Sequence, residues 1–387
     1  MKTLQVIVES TGVLKKDERL LKLGKIIHEI PMIKSYVLEI DESSLEKLKN
    51  LDCVKAVHKA TKITAQMYNE RKTVKVASAH KKGLKGKGIG IAILDTGISP
   101  VSDFTKEHNR IVAFKDVVSG KKKAYDDNGH GTHVAGIACG NGYKSNGRYM
   151  GIAPESDIIG VKILDKEGGG SSVDVLTGVQ WVLDNHLKYN IKIVNLSVGA
   201  GSSSSKDPMV KAVEVLWDMG IIVVAAAGNN GPSKSSVTSP GISRKIITVG
   251  AVDDDNNVEI WGNDMVNFSG RGPTPDCIVK PDCLAPGTNI ISCLIYPNVR
   301  NNEDDKIIDD HYLKLSGTSM ATPIVTGAIA LLLQKYPNIT PNDVKLRLKN
   351  SCSCLGHDAN RQGWGLLNIE KLLDGTSENL DTLTDMP

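Results

Sequence analysis

The sequence predicts an α/β fold with a mostly parallel sheet for most of this chain, preceded by a smaller α+β unit. Beyond residue 88, near-continuous apolar runs alternate with segments of helical periodicity, which is typical of parallel strands buried on both faces. Before residue 66, strands and helices alternate on a shorter scale. With 387 residues, 40% of them hydrophobic, the chain is long enough for one large core and a second small one.

The smaller unit is assigned to residues 1–66. Its elements follow in the order β-α-β-β-α-β, which is the ferredoxin-like arrangement. The predicted strands are 4–8, 25–30, 35–40 and 54–64, and the predicted helices are 15–23 and 43–51. Residues 67–87 are interpreted as a basic linker and surface helix, since seven lysines and arginines stand there against one acid.

The larger unit is assigned to residues 88–374, and the polar, acidic tail 375–387 is expected to be disordered. The predicted strands are 89–94, 158–164, 193–198, 221–226 and 246–249. The predicted helices are 130–139, 173–188, 209–219, 319–335 and 341–350.

Charge and hydropathy argue against two classes of partner. Forty-seven basic and 44 acidic residues give a net charge of +3, which produces no field for binding nucleic acid or anionic lipid. No apolar run approaches the roughly 20 residues that span a bilayer. The start lacks a signal peptide and the seven cysteines form no dense framework, so we expect a cytoplasmic protein, with export without a signal left open.

Three polar motifs lie where an apolar element meets a glycine-rich turn. Asp95 ends a predicted strand, at the edge where open α/β sheets build their sites. His130 enters the first turn of a helix, and His133 follows three residues later. Ser319 stands at the N-terminus of an apolar helix, where N–H groups and the helix dipole favour negative charge on a bound carbonyl oxygen.

Each motif by itself also has a structural interpretation. An aspartate before a glycine turn is ordinary turn chemistry, two histidines can be a metal pair or core residues, and serine often caps a helix. No further ligand completes a metal set around the histidines. Cys352 and Cys354 with His357 also lack the spacing of a four-ligand zinc site. We therefore predict no metal site.

The order Asp, His, Ser is one of three chain orders known for the catalytic triad. Residues 95–97, 130–136 and 317–323 resemble the signature blocks of the subtilisin (subtilase, S8) family of serine proteases. Further similar segments are 225–229, 267–273 and 280–287. The resemblance implies a three-layer subtilisin-like fold and a serine endopeptidase that hydrolyses polypeptide substrates.

The resemblance also implies a role for each of these side chains. Ser319 would attack the peptide carbonyl and form an acyl-enzyme, His130 would take and return the proton, and Asp95 would hold His130 in the required tautomer. The Asn229 amide and the Ser319 backbone N–H would form the oxyanion hole. Periodicity alone leaves His130 and His133 equivalent, and the family pattern selects His130.

Two glycine-rich segments resemble those that hold a substrate strand from both sides in this family. Glycine there lets the backbone approach and pair with an extended peptide. Val198, Asn230 and Thr238 are expected to border the main specificity pocket. The expected substrate-binding residues are Gly168, Gly169, Gly170, Ser197, Val198, Gly199, Asn230 and Thr238.

The small unit resembles the inhibitory propeptide of the family. This implies a self-processing zymogen in which the propeptide is an intramolecular inhibitor, its last strand continues into the active-site cleft and the cut falls within residues 60–72. Residues 140–151 differ from the calcium loop of secreted subtilisins and resemble that of the intracellular AprX-type branch. The resemblance requires no cofactor, and the sequence does not show whether calcium binds.

Two other functions fit parts of the sequence. Glycines at 86, 88 and 90 suggest a nucleotide-binding enzyme, but the phosphate fingerprint follows a strand, whereas this run precedes one. The alternative is a catalytically silent peptide-binding or regulatory protein on the same scaffold. The complete set Asp95, His130, Ser319 and Asn229 favours the enzyme.

Overall fold

A computed structural model describes residues 3–11, 18–59, 62–65, 74–201, 204, 206–252, 268–295 and 306–374. The predictions for the acidic tail 375–387, for Asn267 and for linker residues 67–73 lie outside these described residues.

Seventeen strands and eleven α-helices lie within the described ranges. The strands are β1 (Thr3–Ser10), β2 (Gly24–Ile30), β3 (Ser35–Asp41), β4 (Val54–Lys59), β5 (Lys62–Ala65), β6 (Gly90–Asp95), β7 (Ile111–Asp116), β8 (Asp157–Lys162), β9 (Gly169–Ser171), β10 (Ile191–Leu196), β11 (Val198–Gly199), β12 (Ile222–Ala226), β13 (Ile247–Val252), β14 (Cys283–Pro286), β15 (Ile290–Cys293), β16 (Ile307–Asp309) and β17 (Tyr312–Leu315). The helices are α1 (Glu18–Leu23), α2 (Leu45–Lys49), α3 (Val76–Lys81), α4 (Ser102–Thr105), α5 (His130–Cys139), α6 (Ser172–Asn185), α7 (Pro208–Asp218), α8 (Thr318–Lys335), α9 (Pro341–Ser351), α10 (Ala359–Gln362) and α11 (Ile369–Asp374).

The large unit is built on a seven-stranded parallel sheet in the order β14-β13-β12-β10-β6-β8-β7. Helices α5 and α8 pack together against this sheet, and α6 and α7 pack together as the other layer. Strands β6 and β12 are buried along their whole length, so their residues are apolar without alternation, except for Asp95 at the end of β6. The predicted α/β fold with three layers is confirmed.

Two strands of this sheet were not predicted. β7 lies at the sheet edge and most of its residues are half-buried, so it has no continuous apolar run. β14 has only four residues and ends at Pro286. Short or partly exposed strands carry a weak signal, since the prediction depends on uninterrupted apolar runs.

The small unit has the predicted order of elements. Its antiparallel sheet runs β2-β3-β1-β4 and buries one face on α1 and α2, with Val6, Leu20 and Leu48 in a core of its own. The opposite face packs on the large unit, because Ile7 and Val37 belong to the main core. Both faces of this sheet are therefore buried, and the large unit covers one of them.

The prediction of a single strand over residues 54–64 is wrong. β4 ends at Lys59 and stays in the small sheet, whereas β5 joins β9 and β11 of the large unit. Both segments have strand propensity, and a local pattern cannot show which sheet each one joins, because pairing is a tertiary choice.

Helix α3 is attached to the large unit. It packs on α11, and Lys82, directly after it, lies 2.9 Å from the carboxylate of Asp374. The basic segment before the large unit is therefore partly held by acid residues of the C-terminal helix. Among the helices in the described ranges, none combines the length and apolar character needed to cross a bilayer.

Candidate active site

Asp95 and His130 form a fully buried pair at the carboxyl end of β6. His130 Nδ1 lies 2.7 Å from Asp95 Oδ1, and the Thr96 backbone N–H donates to the same oxygen at 2.7 Å. An ionised carboxylate can only accept, so the proton of the neutral ring is on Nδ1. This leaves Nε2 as the basic nitrogen of His130.

The close approach of α5 to β6 depends on a glycine. A Cβ on Gly131 would overlap the carbonyl oxygen of Gly97 and lie 3.1 Å from Cβ of Asp95. Glycine after His130 therefore allows the histidine helix to begin directly against the strand end that carries the aspartate.

Asp126, which the sequence analysis missed, joins the two segments that carry this pair. Its Oδ1 accepts from Thr96 Oγ1 at 2.9 Å and from the backbone N–H of Gly129 at 2.8 Å, and its Oδ2 accepts from Thr132 Oγ1 at 2.7 Å. The carboxylate thus links the residue after Asp95 to the first turn of α5. An aspartate four residues before His130, in a turn sequence, was the available signal.

Ser319 lies in the first turn of α8 and is completely buried. Its Oγ donates to the carbonyl oxygen of Ser197 at 3.0 Å, and Ser197 Oγ donates to the carbonyl oxygen of Ser319 at 2.9 Å. These reciprocal bonds hold the start of α8 against the segment after β10. The Ser319 hydroxyl is thus hydrogen-bonded to Ser197, one of the predicted substrate-binding residues.

Two further polar residues form a hydrogen-bonded chain that ends on the Ser197 hydroxyl. Asn195 Nδ2 donates to Ser197 Oγ at 2.9 Å, and Thr326 Oγ1 donates to Asn195 Oδ1 at 2.8 Å. All three side chains are buried. A buried amide with both ends hydrogen-bonded has a single orientation, so this chain fixes Ser197 relative to α8. Asparagine within the apolar strand β10 was the signal that the sequence analysis did not use.

Asn229 follows β12 and is oriented by Thr318. Its Oδ1 accepts from the Thr318 backbone N–H at 3.0 Å and from Thr318 Oγ1 at 2.9 Å. Thr318 Oγ1 in turn accepts from the backbone N–H of Gly228 at 3.2 Å. Because the oxygen of the amide is held on the residue before Ser319, the Nδ2 group is the end left to donate. This positioning role of Thr318 was not predicted from the sequence.

The two predicted substrate-binding segments are the outer strands of a small antiparallel sheet. β9 and β11 lie on either side of β5, which belongs to the same chain. Thr64 lies opposite both Gly199 and Gly169, and Ala65 lies opposite Val198. Gly168 precedes β9 with a φ of +77°, a conformation that favours glycine. An extended peptide thus fits between these segments through main-chain pairing.

The two remaining predicted residues lie beside Asn229. Thr238 is buried, and its backbone N–H donates to the Ala227 carbonyl at 3.0 Å. A Cβ on Gly228 would lie 2.6 Å from Thr238 Oγ1, so glycine permits this packing. Asn230 is exposed. That these two residues border the specificity pocket stays a prediction.

The loop at residues 140–151 is closed by a hydrogen bond within it and is tied to α4 by another. The Gly147 N–H donates to the Gly142 carbonyl at 2.8 Å, and the Lys144 N–H donates to Asp103 Oδ1 at 3.2 Å. In the parts of the chain that the structure describes, no group of three or more His, Cys, Asp or Glu side chains could hold a metal ion. The expectations for cofactors and calcium stay predictions.

A buried Asp-His pair, a serine in the first turn of a helix and an oriented amide are the kinds of group that a serine hydrolase uses. Residues 86–365 match the sequence profile described as the Subtilase family, Peptidase_S8. The chain belongs to the subtilase family of serine proteases. Its predicted family, fold class and enzyme class are thereby confirmed.

Several proteases are similar to this chain. Serine protease AprX of Bacillus subtilis is 43% identical over 302 residues, which cover 76% of this chain and 67% of that protein. The thermostable alkaline protease of Halalkalibacterium halodurans is 34% identical over 86% of this chain and 81% of its own. Subtilisin DY of Bacillus licheniformis is 33% identical over 77% and 95%, respectively. This chain is accordingly a subtilisin-like serine endopeptidase, and its substrates are polypeptides.

Proposed function

We propose that this protease cleaves peptide bonds through Asp95, His130 and Ser319 and is made as a zymogen that processes itself. The observation that carries the proposal is the position of β5. A strand of the chain's own N-terminal part lies between β9 and β11, beside the segment whose Ser197 carbonyl holds the Ser319 hydroxyl. A segment in that place is aligned as a substrate.

The triad chemistry follows from the hydrogen bonds of the site. Ser319 exchanges its bond to Ser197 for one to His130 Nε2 and attacks the carbonyl carbon, while its proton passes to Nε2. Asp95 stabilises the imidazolium through Nδ1–H. The carbonyl oxygen, now negative, accepts from Asn229 Nδ2 and from the Ser319 N–H at the positive end of α8. His130 then protonates the leaving amine, and water releases the acyl group.

The small unit is suited to act as the intramolecular inhibitor. Besides the apolar contacts of Ile7 and Val37, its Met32 N–H donates to Gln180 Oε1 of α6 at 3.1 Å, and its Glu9 pairs with Lys211 of α7. These contacts hold β4 next to the large unit and direct the chain into the cleft as β5. The end of the propeptide can therefore occupy the cleft and inhibit the enzyme without any other segment.

A cytoplasmic location of the protein also remains a prediction.

A fluorophosphonate probe tests the catalytic proposal. We expect the processed protein to form one stoichiometric adduct, located on Ser319 by peptide mass mapping, because the probe requires a serine activated by its base. A catalytically silent peptide-binding protein would bind a peptide and give no adduct. The absence of an adduct after the propeptide has been removed would contradict the assigned mechanism.

The register of β5 predicts where the propeptide is cut. Thr64 and Ala65 lie opposite Gly199 and Val198, so the next residue of a continuing strand comes opposite Ser197. That residue is Gln66. We expect self-cleavage between Gln66 and Met67, which N-terminal sequencing of the mature protein checks.

A one-residue insertion provides the control for this register. Glycine inserted after Ala65 brings the inserted residue opposite Ser197 and should move the new N-terminus to Gln66. A cut that stays before Met67 in the insertion variant would show that side-chain identity rather than pairing register selects the bond. A wild-type chain that keeps its full mass on prolonged incubation would refute self-processing.

A further inference from the structure

A cavity of about 190 Å³ opens next to α9, and none of the residues assigned to catalysis or substrate binding lines it. Its walls are apolar, formed by Ile278, Val279, Pro281 and the indole of Trp364. A dry cavity of about 150 Å³ holds a benzene molecule. This cavity therefore has room for a group of benzene size with one small substituent.

Two charged residues that line the cavity, Lys345 and Asp282, form a cluster with Lys280, which does not line it. Lys280 Nζ lies 2.6 Å from Asp282 Oδ2, and Lys345 Nζ lies 3.2 Å from Asp282 Oδ1. All three side chains are buried, so two ammonium groups share one carboxylate. The pKa of Lys280 is lowered to about 8, mainly by burial and also by the charge of Lys345, while Asp282 opposes the shift. The carbonyl oxygens of residues 244–246 also accept from Lys345, so its ammonium has hydrogen-bond partners but shares its only carboxylate in the cluster, and a buried charge in that position favours an anion nearby.

The rim of the cavity adds two more cations. Within the described part of the chain, no hydrogen bond or ion pair engages the guanidinium of Arg244 or the ammonium of Lys349. Asp282 is the single acid in the lining, and its oxygens are already engaged by Lys280, Lys345 and the backbone N–H of Thr248. An anion entering the cavity meets positive charge and no competing carboxylate.

We propose that this cavity binds a small organic carboxylate, with its charged group at Arg244 and Lys349 and its apolar part between Pro281 and Trp364. An inorganic anion would leave the apolar walls in contact with water, and a neutral apolar molecule would leave the cations without a partner. The site does not depend on the triad. It gives this protease a second ligand site, for a product- or metabolite-sized acid.

Benzoate and benzyl alcohol form the matched pair of probes, since they share a ring and differ in charge. Titrated calorimetrically into the full chain at low ionic strength, benzoate should bind one site saturably and at least about tenfold more tightly than benzyl alcohol. It should also change the tryptophan fluorescence. The Trp364→Phe variant should lose the fluorescence change and retain calorimetric binding, which places the ring against that indole.

Three lysine or arginine variants test the charged end. Arg244→Gln and Lys349→Gln should each weaken benzoate binding about 3- to 10-fold, because each removes a partly exposed charge contact. Lys122→Gln, an exposed lysine elsewhere, should leave the affinity unchanged. All three should keep fluorophosphonate labelling, so a failure of this proposal is distinguishable from a failure of the catalytic one.

Equal affinity for the two probes would overturn the proposal in favour of an apolar crevice. Benzoate binding that does not saturate, or that responds equally to all three charge variants, would overturn it in favour of nonspecific attraction.

Discussion

Ser319→Ala should leave the chain at its full length and lower peptide hydrolysis about 10⁶-fold, the size of the loss known for the nucleophile of subtilisin. Alanine removes the only oxygen that can form the acyl-enzyme. Its structural cost is small, because among the described residues the hydroxyl bonds to the Ser197 carbonyl alone, while the reciprocal bond from Ser197 uses the Ser319 backbone. Intact mass and initial rates on a fluorogenic peptide measure both effects.

Ser233→Ala provides the matched control for this variant. Ser233 is exposed in a surface loop, and only its backbone carbonyl takes part in a described hydrogen bond. The control should process itself and hydrolyse peptide at the wild-type rate. If the Ser319→Ala chain were still shortened to the same new N-terminus in purified form, another nucleophile would have to be responsible.

Asp95→Asn should lower kcat about 10⁴-fold with little change in KM, as the loss of the triad aspartate does in other serine proteases. The carboxylate accepts from His130 Nδ1 and from the Thr96 N–H through one oxygen. A neutral amide cannot stabilise the imidazolium. If its NH₂ group faces Nδ1, it also favours the tautomer with the proton on Nε2, which cannot accept the serine proton.

The control for this variant is Asp343→Asn, which changes an aspartate in the capping box of α9, a helix that carries none of the assigned catalytic or substrate-binding residues. It should affect thermal stability slightly and kcat not at all. Fluorophosphonate labelling of Asp95→Asn should slow together with kcat, whereas circular dichroism should stay native. A loss of kcat smaller than about tenfold would show that Asp95 does not act through the histidine.

Predictions that depend on a local sequence pattern were correct, and predictions that depend on contacts between distant segments were not. Helices α5 and α8 were predicted almost to the residue, because a glycine-rich start and a long apolar run are local features. β7 and β14 were missed, since a partly exposed strand and a four-residue strand leave little local pattern. Residues 54–64 were assigned to one strand, since nothing local distinguishes pairing with β1 from pairing with β9 and β11.

The site residues divide in the same way. Asp95, His130, Ser319 and Asn229 each stand in a short motif, so the resemblance could locate them without coordinates. Asp126, Asn195 and Thr318 each also bond to a residue distant along the chain, and their roles appear when those residues are brought together. The amino-acid sequence determines which side chains can act as nucleophile, base and amide donor, because these capacities belong to the side chains themselves. Folding selects which groups orient them and which strand enters the cleft, because hydrogen bonds between distant segments exist only once the parallel sheet has assembled.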